Sequence, residues 1–163
     1  MFWRKKVEER IECQSWFSYS VMLPNIEEDE QEVMIIGNYI IKNTGTETLN
    51  KPIICIRITP PKDVRLGGKI GSITHTALMV DGSNSAAWEY IHNDWREKSL
   101  ETGEHWLKPK VNAPLLSNES IAFAYELQFP LTQKEKYVNV EGFIYFDEIN
   151  QGLASLNKMT INF

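Results

Sequence analysis

Residues 37–61, GNYIIKNTGTETLNKPIICIRITPP, decide how the rest of the chain is read. Two runs of β-branched residues flank a polar segment of Asn, Thr, Gly and Lys-Pro. Asn43-Thr44-Gly45 supplies a turn in which Asn or Gly takes positive φ cheaply. Pro52 suits the first position of the next strand, where a missing N–H breaks no ladder. The polar middle is therefore a connection between strands, not a site. The flanking runs, 33–42 and 53–59, are nearly continuously apolar, as strands covered on both faces would be.

Outward from this pair, the chain alternates with period two. Ile11, Cys13, Ser15, Phe17, Tyr19, Val21 and Leu23 share one parity. Ile121, Phe123, Tyr125, Leu127 and Phe129 do the same against Ala122, Ala124, Glu126 and Gln128. Val138, Val140, Ile144 and Phe146 form a third set, and Met159, Ile161 and Phe163 a fourth. Successive side chains of a strand point to opposite faces, so each set marks a strand with one buried side. Weaker strand patterns occur at 64–73, 76–80 and 86–92. Pro24-Asn25, Pro60-Pro61, Asp81-Gly82, Pro130 and Asn150-Gln151-Gly152 read as turns between the pieces. One segment breaks the period. In NDWREKSLETG, Asp94 precedes Glu97 at capping-box spacing and Gly103 stands where a helix would stop, which predicts a short helix over 94–102. The fold expected is an all-β, antiparallel two-sheet sandwich of about eight strands, immunoglobulin-like or jelly-roll-like, with one short helix in a connection.

Two stretches, NTGTETL followed by Pro52 and an apolar strand, and LLSNESIAFAYELQFP at 115–130, resemble bacterial immunoglobulin-like β-sandwich domains of the cell-adhesion-related kind. There an N-x-G connection joins two sandwich strands, and a late Leu-x-x-x-Glu turn precedes an alternating strand. The resemblance covers about a third of the chain, implies the fold class, and brings no catalytic residues with it. The chain departs from the pattern in its length and in its Trp-rich, partly helical segment 86–109.

The chain has 163 residues, 42% apolar and 24% charged, enough for one domain with a real core and ordinary for a globular protein. No repeat or linker divides it, so residues 1–163 read as a single domain with 1–10 a loose N-terminal segment. A net charge of −5, from 17 basic and 22 acidic residues, gives no basic face for nucleic acid. No stretch approaches the roughly 20 apolar residues of a membrane span. MFWRKKVEERIEC lacks the apolar core and cleavage site of a secretory signal, and the sequence reads as a cytoplasmic product. Cys13 and Cys55 are too few for a disulfide scaffold and too far apart for a zinc motif, and they are expected as free thiols on opposite sides of their strands.

The contact chemistry concentrates in AWEYIHNDWREKSLETGEHWLKP. Trp88, Tyr90, Trp95 and Trp106 stand there beside His92 and His105. Exposed rings would anchor a partner protein or form a platform for a sugar. The plainer alternative is that they cap one end of the core, since large aromatics usually end up mostly buried. Asp94, Glu97, Glu101, Glu104 and His105 would serve a hydrolase only if they converged on one cleft; a solvated helix face accounts for most of them. The histidines lack metal-motif spacing, and no cofactor is predicted. LGGKIGS has neither the P-loop nor the dinucleotide spacing and reads as a twisted edge or bulge. EEDEQE lacks the calcium-loop pattern, FWRKK is too short for a firm membrane anchor, and no nucleophile motif is present. The expected function is a non-enzymatic interaction module with a protein partner. A carbohydrate-binding domain is the alternative, and a hydrolase using 94–105 the more distant one.

Overall fold

Alternation along the chain becomes two sheets whose apolar faces meet. The computed structural model describes residues 8–25, 27, 29, 31–71 and 87–163. In chain order its elements are β1 (Cys13–Met22), β2 (Glu32–Asn43), β3 (Ile53–Thr59), β4 (Arg65–Gly68), β5 (Trp88–Tyr90), α1 (Trp95–Thr102), β6 (Glu104–Pro109), β7 (Ser120–Pro130), β8 (Tyr137–Phe146), β9 (Ile149–Ala154) and β10 (Met159–Asn162). One sheet has the order β1-β2-β7-β4; the other runs β10-β8-β3-β6-β5, with β9 also pairing with β8. Every pair is antiparallel. The architecture is an all-β sandwich with one short helix.

Register places the inward set of each strand opposite that of its neighbour. Phe17 faces Tyr39, and Tyr39 faces Phe123, across the first sheet. Ile54 lies between Leu107 and Ile144 in the second. These side chains are buried, and each contributes roughly 1.5–3 kcal/mol relative to exposure. Tyr39 also fixes the closeness of the layers. Its ring lies over Gly142, where a Cβ would come within 2.7 Å of ring carbons, and its hydroxyl bonds to Ser15 Oγ at 2.8 Å in the core.

The two motifs behind the immunoglobulin-like resemblance are joined in space. The Asn43 side chain, fully buried, accepts from the Gly45 N–H at 3.0 Å and donates to the carbonyls of Glu47 at 2.8 Å and Leu115 at 2.9 Å. Leu49 and Leu115 exchange backbone hydrogen bonds, and Ser117 Oγ donates to the Gly45 carbonyl at 2.6 Å. The Glu119 carboxylate accepts from the Leu116 N–H at 3.0 Å, closing the Leu-x-x-x-Glu turn.

Several local expectations change. β2 is not covered on both faces: Ile36 and Asn38 are exposed, and Met34 and Ile40 only half-buried. Its outer positions are apolar but open to solvent. Helix α1 ends as predicted, with Gly103 at φ 76° and its N–H bonded to the Ser99 carbonyl at 2.9 Å. At its other end Asp94 occupies the N-cap position without a side-chain cap bond, so the capping box does not form. Strands β6 and β9 were not anticipated. The turn before β9 is Asp147-Glu148, and Asn150-Gln151-Gly152 lies within the strand. The strand expected at 76–80 lies outside the described residues. Arg10 exchanges backbone contacts with the NTG connection: its N–H donates to Thr46 Oγ1 at 2.7 Å and its carbonyl accepts from the Thr46 N–H at 2.9 Å.

Candidate binding surfaces

The aromatic segment does not form one site. Its residues go to three places: Trp88 and Tyr90 share one face of β5 at different depths, whereas alternation along β6 sends His105 inward and Trp106 outward. Trp88 is withdrawn into the core. Its ring is fully buried, meets Phe123 edge-on at 5.6 Å, and donates its indole N–H to the Ala122 carbonyl at 3.0 Å. The expectation that Trp88 offers a ring to a ligand is corrected, since no ring surface is left to offer.

Tyr90, His92, Trp95 and His105 gather at the β5 end of the second sheet. Tyr90 and Trp95 stack face to face, centroids 4.2 Å apart and planes 9° from parallel. The Arg96 guanidinium lies over the Trp95 ring as well, at 5.3 Å. The Tyr90 hydroxyl bonds to His105 Nδ1 at 2.8 Å, and burial pushes that imidazole down to about 4. His105 is therefore neutral at physiological pH; with the phenol donating, it accepts at Nδ1 and keeps its proton on Nε2. Tyr90, His92 and Trp95 also border a cleft of about 510 Å³ with Gly67, Gly68 and Glu89. The stack covers one face of Tyr90 and one face of Trp95.

Trp106 lies elsewhere, on the outer face of the six-stranded sheet. In register it is opposite Cys55, which is in turn opposite Phe143. Its ring meets Tyr145 at 5.2 Å, and its indole N–H donates to the Glu104 carboxylate at 3.1 Å. Arg57 sits over the Phe143 ring at 4.9 Å and pairs with Glu141 at 3.4 Å. Trp106, Phe143 and Tyr145 are each half-buried. Cys55 is buried although it belongs to this outer side, and desolvation pushes its thiol up to about 12, which makes it a poor nucleophile. Cys13 and Cys55 are both free thiols.

The Arg57, Glu141, Phe143 and Tyr145 part of this face was missed from sequence. A signal existed: β8 carries Phe143 and Tyr145 on the parity opposite to Val138, Val140, Ile144 and Phe146, so it is aromatic on its solvent side too.

The acidic residues do not converge. Asp94, Glu97 and Glu101 are exposed around α1, whereas Glu104 faces outward beside Trp106. His105, its immediate neighbour, faces the interior. Adjacent strand residues on opposite faces of one sheet cannot act on the same bond. Among the described residues, no group of three or more His, Cys, Asp or Glu is placed to hold a metal ion, and no helix is long and apolar enough to cross a membrane.

No protein-family model and no curated protein matches the chain. Similar solved structures include the collagen-binding domain of a Staphylococcus aureus adhesin, at 11% identity and a TM-score of 0.36, covering 89% of this chain and 97% of that one. ACE19, the collagen-binding subdomain of the Enterococcus faecalis surface protein ACE, is similar at 10% identity and a TM-score of 0.30, covering 87% and 92%. AvmM, which catalyzes macrocyclization in alchivemycin A biosynthesis, is similar at 7% identity and a TM-score of 0.42, covering 88% and 87%. Two of these are adhesin domains, the kind of sandwich that the NTGTETL and LLSNES stretches weakly resemble. Neighbours this distant include both binding domains and a catalyst, and no activity passes from them to this chain.

Proposed function

We propose that this protein is a non-enzymatic binding module that engages a protein partner through the outer face of its six-stranded sheet. The observation that carries this reading is the half-exposed grouping of Trp106, Tyr145, Phe143 and Arg57 on one open sheet face. Trp, Tyr and Arg are the side chains that dominate binding energy at protein interfaces. Here they are held in place by ring contacts, an indole–carboxylate bond and the Arg57–Glu141 pair, so little side-chain freedom is lost on docking. The pair itself, with both side chains about 40% exposed, supplies orientation more than energy. Tyr90, Trp95, His92 and His105 belong in this reading to the packing of the sheet's end, with His92 and Trp95 at the margin of the surface. Residence in the reducing cytoplasm is part of the proposal, supported by the two free thiols.

The test uses immobilised wild-type protein, the Trp106→Ala/Arg57→Ala double variant, and Glu126→Ala on the other sheet as a control. A protein retained from native extract is purified and its affinity for each form is measured. The double variant should bind about 30-fold more weakly or worse, the equivalent of about 2 kcal/mol, with the control unchanged. Equal affinity for all three forms rejects this face as the binding surface.

A further inference from the structure

Edge strands of a sheet offer unpaired N–H and C=O groups, and proteins ordinarily shorten, charge, bulge or cover them. Most edges here follow that rule: β4 and β10 have four residues each, β5 three, and β9 six with Asn150, Gln151 and Gly152 at its middle. β1 does not. It has ten residues, pairs among the described residues with β2 alone, and runs in continuous register without a bulge. From Cys13 to Asn25 the sequence CQSWFSYSVMLPN contains no charged residue.

The first half of its free edge is closed from within. Asn157 Oδ1 accepts from the Phe17 N–H at 2.7 Å, Asn157 Nδ2 donates to the Phe17 carbonyl at 2.9 Å, and the Leu156 N–H donates to the Ser15 carbonyl at 2.8 Å. By the two-residue period of a strand, Tyr19 and Val21 direct their N–H and C=O groups to that same side. Among the described residues nothing meets them there. The side chains around them are open too: Tyr19 is 42% exposed, Val21 41%, Met22 46% and Leu23 78%.

We infer that this half-edge is a self-association site, and that two copies of the chain pair antiparallel through residues 18–22 of β1. A second copy is the occupant the strand itself specifies. With no charge anywhere on it, two-fold pairing sets no like charges opposite each other. The Asn157 clamp bars pairing at Phe17 and so leaves a short window, which a two-fold axis at Ser20 fills symmetrically. In that register Tyr19 of each copy faces Val21 of the other, and each such pair exchanges two backbone hydrogen bonds. An aromatic ring opposite a β-branched residue is a favourable cross-strand combination. The two four-stranded sheets become one continuous sheet across the axis. The contact is small, on the order of 1,000 Å² in total, which predicts a weak dimer that forms as concentration rises.

Sedimentation equilibrium of the full chain from about 5 μM to 500 μM tests this over the range expected for small interfaces. The wild type should move from monomer towards dimer. Ser20→Lys places two ammonium groups at the axis, while Ser20 itself is exposed and makes no core contact, so the variant should stay monomeric with an unchanged circular dichroism spectrum. Val21→Pro removes a donor that has no partner among the described residues and should act the same way; if it fails to fold, Ser20→Lys alone decides. A wild type that stays monomeric throughout overturns the inference. So does a dimer that survives Ser20→Lys, since its contact must then lie elsewhere.

Discussion

Asn43 shows how much one side chain holds together. As a turn residue its task is local, and accepting from the Gly45 N–H fulfils it. Its amide nitrogen has a second task, binding the carbonyls of Glu47 and Leu115, the latter far along the chain. Asn43→Ala should therefore cost about 1–3 kcal/mol: it removes three hydrogen bonds and leaves the Glu47 carbonyl without its partner, although the Leu115 carbonyl keeps the Leu49 N–H and the Gly45 N–H keeps the Glu12 carbonyl. Urea unfolding measures this, and a cost under about 0.5 kcal/mol would mean that the clamp is redundant. The turn was legible in the sequence; the clamp was not, because its partner lies in no local pattern. Phe123 and Glu126 give a paired test on one strand. Phe123 is fully buried and Glu126 exposed. Phe123→Ala should cost about 3–5 kcal/mol and Glu126→Ala less than about 0.5, and equal costs would contradict the facing of β7.

At the level of elements, the two ends of α1 behave differently. Gly103 has φ 76°, and a Cβ there would lie 2.1 Å from the Ile58 carbonyl oxygen. Gly103→Ala should cost about 2–3 kcal/mol, from the left-handed backbone plus the movement forced on β3. Asp94 makes no cap bond, so Asp94→Ala should fall within about 0.5 kcal/mol rather than the ~1 typical of a working N-cap. Thermal unfolding of both variants distinguishes the ends. Long strands were legible because five or more alternating residues set their period. β6 was not: it begins directly after Gly103, and its two faces carry His105 and Leu107 against Glu104, Trp106 and Lys108, bulky residues on both sides. The middle of β9, Asn150-Gln151-Gly152, reads as a turn. It is a strand because β8 pairs with it and Gly152 leaves room for the Tyr145 ring, neither of which a local reading can see. For the same reason the aromatic segment read as one site but folded into three.

At the level of the whole molecule, residues distant in sequence close each layer. β2 pairs with β7, and the Asn157 turn clamps β1 near the opposite end of the chain. Such topology stakes stability on the cooperative burial of groups that local structure cannot protect, and His105 reports on it. In the folded protein its imidazole is held neutral, with burial lowering its affinity for a proton to about 4 from 6.5. The unfolded chain takes up that proton below about pH 6.5, and the folded chain does not. This contribution to stability is therefore complete above pH 6.5, declines as pH falls from 6.5 to 4, and changes no further below that. The loss across the window is on the order of 3 kcal/mol. His105→Phe removes the titration while also leaving the Tyr90 hydroxyl without its partner, so its absolute stability is a poor guide. The decisive quantity is the change in unfolding free energy between pH 7.5 and 4.5. It should be about 2–3 kcal/mol larger in the wild type than in His105→Phe. Equal changes in the two proteins would mean that His105 takes up its proton within the folded sandwich, and that this end of the core is wetter than its burial implies.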